Sequence, residues 1–275
     1  MKNKLLSLPK VSLIVSTYNR PEALNLCLQS IIRQKVLPNE VIIGDDGSGE
    51  ETKKLIRSYQ KIFPVPLIHI WQEDKGFRLA MSRNKSVAAS RYEYIIETDG
   101  DLILHPKFVA DHLSLALKGH FLKGGRVNLT PKLTDQCCKD GKLPPLHIAA
   151  PGMMRRTNSF HCMALGRYFA PRYKKNGILG LGCNMSFWRE DYIRINGYDE
   201  FYEGWGGEDY DFAARMVNSG VRRLYLKFCG IVFHLWHNDL HMENKLKNFS
   251  YYDQKVAEKA IRCENGIDKY LNAGD

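Results

Sequence analysis

Residues 11–24 read VSLIVSTYNRPEAL. The run VSLIV, apolar but for one serine, describes a strand buried on both faces, and the polar group Ser16-Thr17-Tyr18-Asn19 ends it. Pro21 then suits a first helical position, where its fixed φ is already helical and its missing N–H has no partner to lose. Leu24, Cys27, Leu28, Ile31 and Ile32 follow at helical spacing. The same unit recurs. VIIG at 41–44 is a second strand ending in Asp45-Asp46-Gly47, and Ser48 with Glu51 has capping-box spacing, opening a helix that carries Leu55, Ile56 and Tyr59. LIHIW at 67–71 is a third strand, followed by a helix near 78–90, and YEYIIE at 92–97 is a fourth. Such alternation predicts an α/β fold with a Rossmann-like, mostly parallel twisted sheet flanked by helices.

Open sheets of this class bind ligands beyond the carboxyl ends of their strands. Three such ends carry polar clusters here: Thr17-Tyr18-Asn19, Asp45-Asp46 and Asp99-Gly100-Asp101. They are expected to converge on one crevice. Neither Gly-x-Gly-x-x-Gly nor Gly-Lys-Ser/Thr is present to cradle phosphate with backbone amides. Acids without a glycine loop predict a different solution, in which a divalent cation neutralises phosphates and carboxylates hold the cation. Gly100 lets the chain turn between the two carboxylates and lets a ligand approach closely. Glu97, two residues before Asp99, is read as structural.

With 275 residues, 44% of them hydrophobic and 25% charged, the chain can bury a full core. No apolar run approaches the roughly 20 residues that span a bilayer, and the start MKNKLLSLPKVSLIV lacks a signal-cleavage pattern. A cytoplasmic location is expected. Seven cysteines form an odd count without a Cys-x-x-Cys pair, so no disulfide framework or zinc ribbon is indicated. The formal charge of +10 is unevenly spread: from Gly141 to Arg189 there is no Asp or Glu, while Lys142, Arg155, Arg156, Arg167, Arg172, Lys174, Lys175 and Arg189 all fall there. Such a field favours an anionic partner, whether a nucleotide, a phosphorylated or lipid-linked acceptor, or an anionic membrane at the inner face. Tyr168, Phe169 and Tyr173 offer stacking surfaces, but no nucleic-acid-binding motif accompanies them, so no nucleic acid partner is expected.

Residues 116–180 read as an irregular insertion, punctuated by Pro131, Pro144, Pro145, Pro151 and Pro171. Order returns at LGCNMSFW, 181–188. In GWGGEDYD, 204–211, three glycines free a loop and place Glu208 and Asp209 where a helix over 209–219 begins. Helix capping accounts for one acid but not for the glycines or Trp205; the helix dipole would keep such a carboxylate ionised and ready to accept a proton from an alcohol. His234 and His237 in FHLWH supply imidazoles that a carboxylate-held metal accepts, and the choice between them stays open. His147, His161 and His241 have no comparable context, and the tail after Glu243 suggests one amphipathic helix.

These motifs carry a resemblance. VSLIVSTYNRPEAL, EVIIGDDGS, GFRLAMSRN and YIIETDGD are similar to the nucleotide-sugar half of family 2 glycosyltransferases, whose fold is the single-domain GT-A type. INGYDEFYEGWGGEDYDFAARMVNSG resembles the C-terminal motif of beta-1,4-galactosyltransferases, polypeptide N-acetylgalactosaminyltransferases and bacterial chondroitin polymerases. The resemblance implies one domain over 1–275, with a nucleotide-sugar half at 10–115, an insertion at 116–180, an acceptor and catalytic half at 181–243 and a helical tail at 244–275. It implies that Tyr18 lies against uracil and Asp46 accepts from its N3–H, with Ser16, Asn19, Arg20 and Arg78 nearby and Asp99 near the ribose or sugar. Asp101 would hold Mn2+ or Mg2+ as the last acid of a DXD motif, with His237 and His234. Glu208 would bind the acceptor and Asp209 serve as base, with Trp205, Gly207 and Asn184 contacting sugar.

The implied activity is metal-dependent, inverting transfer of a hexose or N-acetylhexosamine from a UDP-sugar to a hydroxyl of a glycan or glycolipid. Bacterial surface polysaccharide or lipopolysaccharide synthesis would be its setting, with peripheral contact at the inner membrane face. A sugar-nucleotide pyrophosphorylase would want a glycine-rich, basic loop directly after the first strand, where Ser16-Thr17-Tyr18-Asn19 stands. A non-catalytic nucleotide-sugar- or glycan-binding partner of another transferase would lack one of the acids or histidines, and all are present.

Overall fold

A computed structural model of the chain describes residues 8–172, 182–238 and 243–271. Tyr173, Lys174, Lys175, Leu181 and His241 lie outside the described residues. The chain begins β1 (Val11–Thr17), α1 (Pro21–Ile32), β2 (Glu40–Asp45), α2 (Glu50–Gln60), β3 (Leu67–Trp71), α3 (Leu79–Ala88) and β4 (Tyr94–Asp99). It continues with β5 (Leu102–Leu104), α4 (Phe108–Leu115), β6 (His120–Lys123), β7 (Val127–Asn128), α5 (Pro131–Asp140), a short 3-10 turn (Arg156–Ser159) and α6 (Met163–Phe169). Then come β8 (Asn184–Trp188), α7 (Arg189–Arg194), α8 (Glu208–Asn218), β9 (Arg222–Tyr225), β10 (Val232–His234), α9 (Lys245–Ala257) and α10 (Asp268–Leu271).

Seven strands form one sheet in the order β3-β2-β1-β4-β8-β6-β9. β1 to β4 run parallel, and β8 alone is reversed, pairing antiparallel with both β4 and β6. Every residue of β1 is buried, as its largely apolar run predicts. Its alternate residues face opposite layers. Leu13 and Val15 pack on α1, α2 and α4 through Leu24, Leu28, Ile56 and Phe108, while Ile14 packs with Ile42, Ile95, Phe187, Phe212 and Met216 on the other face. A second sheet, β5-β10-β7, covers part of α1 and α5.

Asn84 on α3 ties the first half of the chain to the second. Its amide donates to Tyr198 O at 2.8 Å and to Glu200 Oε1 at 2.9 Å, and its oxygen accepts from Tyr192 Oη at 2.6 Å and Tyr198 N at 2.9 Å. The group is fully buried and uses its whole hydrogen-bonding capacity.

Three expectations need correction. Residues 116–180 are not simply irregular: β6 completes the main sheet between β8 and β9, and α5 packs against α1. HFLK is short and has two apolar residues, so its strand state is set by its neighbours in the sheet rather than by its own pattern. Ser48 does not cap α2, whose N-cap is Gly49. Its hydroxyl accepts instead from Asn19 N at 2.9 Å, and its own N–H donates to Asp45 Oδ1 at 2.7 Å, locking the ends of β1 and β2 together. The tail carries two helices, α9 and α10, where one was expected.

Candidate functional site

The registers Thr17↔Asp45 and Ser16↔Asp99 set the ends of β1, β2 and β4 side by side. Asp46 N donates to Thr17 O at 3.0 Å and Gly100 N to Ser16 O at 2.7 Å, which carries the alignment past the strands. A side chain at Gly100 would meet Ser16 O at 3.2 Å and Thr17 Oγ1 at 3.1 Å, so glycine there permits the acidic turn to press on β1. The resulting cleft measures about 450 Å³, within the usual range of small-molecule sites.

At one end stand Ser16, Tyr18, Arg20 and Asp46. Tyr18 presents an exposed ring, its hydroxyl donating to Asp74 Oδ2 at 2.9 Å. Asp46 is nearly buried and accepts from Gln72 Nε2 at 2.5 Å and Arg78 N at 2.7 Å. Burial outweighs these bonds and pushes its carboxyl up to about 6. Arg78 therefore meets Asp46 through its backbone; its guanidinium turns to Glu73 O and Met81 Sδ, away from the cleft lining. Asn19 also stays out of the lining, spending its side chain on Gly49 N at 2.9 Å. Both position the end of the cleft rather than face it.

The far-separated acids and histidines meet through the small sheet. β10 pairs antiparallel with β5 so that His234 faces Leu102, and Leu235 N donates to Asp101 O at 3.0 Å. That register brings His234 Nε2 and His237 Nε2 each to 3.3 Å from Asp101 Oδ2, with Arg20 Nη1 at 3.1 Å. Burial would raise the Asp101 carboxyl, but the hydrogen bonds from His234 and His237 and the charge of Arg20 prevail and hold it well below the usual carboxylate range. Asp101 Oδ1 is buried and has no hydrogen-bond partner among the described residues. One carboxylate and two imidazole nitrogens within 4.8 Å of one another fit a divalent transition metal.

Against Asp99 and Asp209 lies Arg83, which the sequence reading passed over. It is 2% exposed, and its guanidinium reaches Asp209 Oδ1 at 2.7 Å, Asp99 Oδ1 at 3.3 Å and Glu208 Oε1 at 4.0 Å, with the Tyr198 ring 5.0 Å away. Asp209 accepts further from Gly182 N at 2.7 Å. Partial burial, with the charge of Asp101 nearby, raises Asp99 to about 6. Burial, and then the charge of Asp209, raises Glu208 to about 8, opposite to what its place at the start of α8 suggested. Glu97 lies beneath, accepting from Tyr198 Oη at 2.9 Å, and burial raises it to about 8.

Glu97 yields a stability test. Its folded-state value lies above the ordinary 4.5, so the folded chain keeps a proton that the unfolded chain releases. Stability is therefore expected to fall as pH rises from about 4.5 to about 8. Glu97→Gln, which keeps the shape and removes the titration, is expected to flatten that decline in urea-midpoint measurements. An unchanged slope would refute the assignment.

Trp205, Gly207, Glu208 and Asp209 line the opposite wall. Gly207 is the N-cap of α8 at φ +97, and a Cβ there would fall 2.7 Å from the Tyr202 ring, so the turn that presents Glu208 and Asp209 demands glycine. Trp205 is 38% exposed, with Lys245 Nζ 5.2 Å above its ring. Asn184 is a correction. It is fully buried, donating to Gly125 O and Gly230 O at 2.8 Å each and lying 3.2 Å from His112 Nε2, so it has no surface to offer a sugar. His161, which had no context in the sequence, lies 3.1 Å from Asp111 and stacks on His105.

Residues 12–129 match the family model described as Glycosyl transferase family 2, and residues 160–238 match that described as N-terminal domain of galactosyltransferase. The chain is 27% identical over 233 residues to validoxylamine A glucosyltransferase of Streptomyces hygroscopicus subsp. limoneus, covering 78% of this chain and 49% of that protein. It is 25% identical over 242 residues to chondroitin synthase of Escherichia coli, covering 79% of this chain and 33% of that one. The chain thus spans half or less of these curated relatives. Among solved structures, a mannosyltransferase from Pyrobaculum calidifontis in complex with GDP-Man and Mn2+ superposes with a TM-score of 0.64 at 17% identity, over 92% of this chain and 65% of that chain. TarS of S. aureus, residues 1–349 with UDP, gives 0.62 at 15% identity, over 95% and 69%. The architecture is of the GT-A kind, as the motifs implied.

Proposed function

From a chain that joins a family 2 glycosyltransferase segment to a galactosyltransferase-like one, we propose that the protein moves a hexose or N-acetylhexosamine from a UDP-sugar to an acceptor hydroxyl with inversion. The observation that carries this reading is the meeting, in one cleft, of the Asp101–His234–His237 cluster with the Asp99–Arg83–Asp209 chain of ion pairs. Uracil would lie against Tyr18 and donate its N3–H to Asp46. Asp101, His234 and His237 would hold Mn2+ or Mg2+, which when bound neutralises charge on the departing diphosphate. Glu208, protonated over most of the neutral range, would donate its O–H to an acceptor oxygen, and Trp205 would cover a sugar face.

Asp209 would take the acceptor's proton. Its two occupied oxygens do not prevent this, since an ionised carboxylate has about four acceptor sites and Arg83 and Gly182 use two. The acceptor oxygen then bonds to the anomeric carbon as the bond to UDP breaks on the opposite face. No covalent enzyme intermediate is required. A glycan or lipid-linked saccharide of bacterial surface polymers is the acceptor class this reading favours, with the chain at the inner membrane face. No helix among the described residues is long and apolar enough to cross a membrane.

The reading is tested by incubating the chain with a panel of UDP-sugars and GDP-mannose and following slow nucleotide release with and without Mn2+. One UDP-sugar should be hydrolysed, and chelation should stop it. Asp101→Asn is expected to weaken Mn2+ binding by more than the roughly 10–100-fold that loss of an outer-shell partner costs. Nucleotide release indifferent to metal would overturn the metal role, and pyrophosphate release in place of UDP would favour a pyrophosphorylase. A binding module without turnover predicts UDP affinity with no release from any donor.

A further inference from the structure

We propose that a second cavity beside the transfer cleft binds a carboxylate or phosphate group carried by the acceptor saccharide; this deepens the transferase reading and rests on it. The cavity, about 380 Å³, lies between the connection from β6 to β7, the turn at 154–158 and the connection from β9 to β10. Lys123, Arg126, Arg155 and Lys227 line it, and no Asp or Glu does among the described residues. Asn128, Thr157, Asn158 and Tyr225 add neutral hydrogen-bonding groups. Arg126, Arg155 and Lys227 around so small a volume repel one another. An anion with several oxygens relieves that repulsion and is hydrogen-bonded at the same time.

The cavity is built, not incidental. Buried Asn184 ties its walls together, donating to Gly125 O on one and Gly230 O on the other. A Cβ at Gly124 would fall 2.2 Å from the Asn184 amide, so glycine at that position lets the brace in. Lys227 Nζ is steered by Asn158 Oδ1 at 3.2 Å. Arg155 occupies a left-handed backbone conformation at φ +53, which a residue with a Cβ adopts rarely.

The sheet order places this cavity on the acceptor's side. Nucleotide-facing residues stand at β1 and β2, the Asp99–Arg83–Asp209 chain at β4, and the cavity beyond, at β6 and β9. Arg126 lines both the cavity and the cleft, so an anion held there sits next to the sugar being extended.

The test titrates the chain by calorimetry with a glucuronate-bearing tetrasaccharide, a phosphate-ended one and a neutral one of equal length, in the presence of UDP and Mn2+. At least one charged probe should bind about tenfold or more tightly than the neutral one, and lose that advantage in salt. Arg155→Ala with Lys227→Ala should erase the preference while UDP binding is unchanged, and Thr157→Glu, which puts a carboxylate into the cavity, should do the same. Equal affinity for charged and neutral probes would overturn the proposal. So would variants that weaken binding to anionic phospholipid vesicles yet leave saccharide binding intact. If no UDP binds but charged saccharides do, in a variant-dependent way, the transferase reading fails and the anion site stands.

Discussion

An Asp209→Asn chain is expected to bind UDP and Mn2+ as the wild type does and to transfer sugar about a thousandfold more slowly, within the range that general-base removal produces. The amide cannot take up the acceptor's proton. It must also turn an NH2 group toward either Arg83 or Gly182 N, both of which donate to the carboxylate at 2.7 Å. That mismatch leaves one buried donor unsatisfied and costs about 1–3 kcal/mol of stability. Thermal denaturation therefore accompanies the kinetics, to separate lost chemistry from lost fold. The decisive comparison is kcat against KM for the acceptor: a base acts in the transition state, so kcat falls while KM moves little. Turnover within tenfold of wild type would reject Asp209 as base and turn attention to Glu208.

Arg83→Ala should be the most damaging single change away from the hydrophobic core. One guanidinium, 2% exposed, pairs with Asp99 and Asp209, with Glu208 within 4.0 Å. Removing one partner of a buried ion pair leaves uncompensated charge and costs about 3–5 kcal/mol, which in a chain of this size lowers Tm by on the order of 10 °C. The deficit should shrink as pH is lowered toward about 6, because without the Arg83 charge, which lowers the Asp99 carboxyl in the wild type, Asp99 takes up a proton above that value and no longer needs a counter-charge. Arg83→Lys should recover part of the stability but little activity, because one ammonium cannot bridge two carboxylates as a planar fork does. A loss below about 1 kcal/mol for Arg83→Ala would place this pair among ordinary surface ion pairs.

The first half of the fold was legible because its signals are local. VSLIV, VIIG and LIHIW are apolar runs with at most one polar residue each, and the polar residues after them mark the cleft without reference to anything distant. The second half was less so. β6 owes its state to β8 and β9 on either side, and no property of HFLK alone records those partners. The same limit explains the site. Asp101, Glu208 and Asp209 declared themselves through glycines beside them, whereas Arg83 sits in GFRLAMSRN as one arginine of two. The resemblance implied a place near the nucleotide for Arg78 and none for Arg83. The helical turn between the two aims Arg83 into the carboxylates and sends the Arg78 guanidinium to Glu73 O. Asn184 misled for the converse reason: a polar residue beginning a strand near a catalytic motif looks available, and only the packed structure shows both its donors spent.

Asn84 limits how such a chain can be recombined. A chimaera that keeps residues up to α3 from one parent and takes the acceptor half from another splits four buried hydrogen bonds between unrelated sequences. Each bond left unmade costs about 1–3 kcal/mol, comparable in sum to the whole margin by which a domain stays folded. Exchange of acceptor specificity by grafting must therefore carry Asn84 and the 192–200 segment as one inherited unit, or exchange only the surface loops around the second cavity.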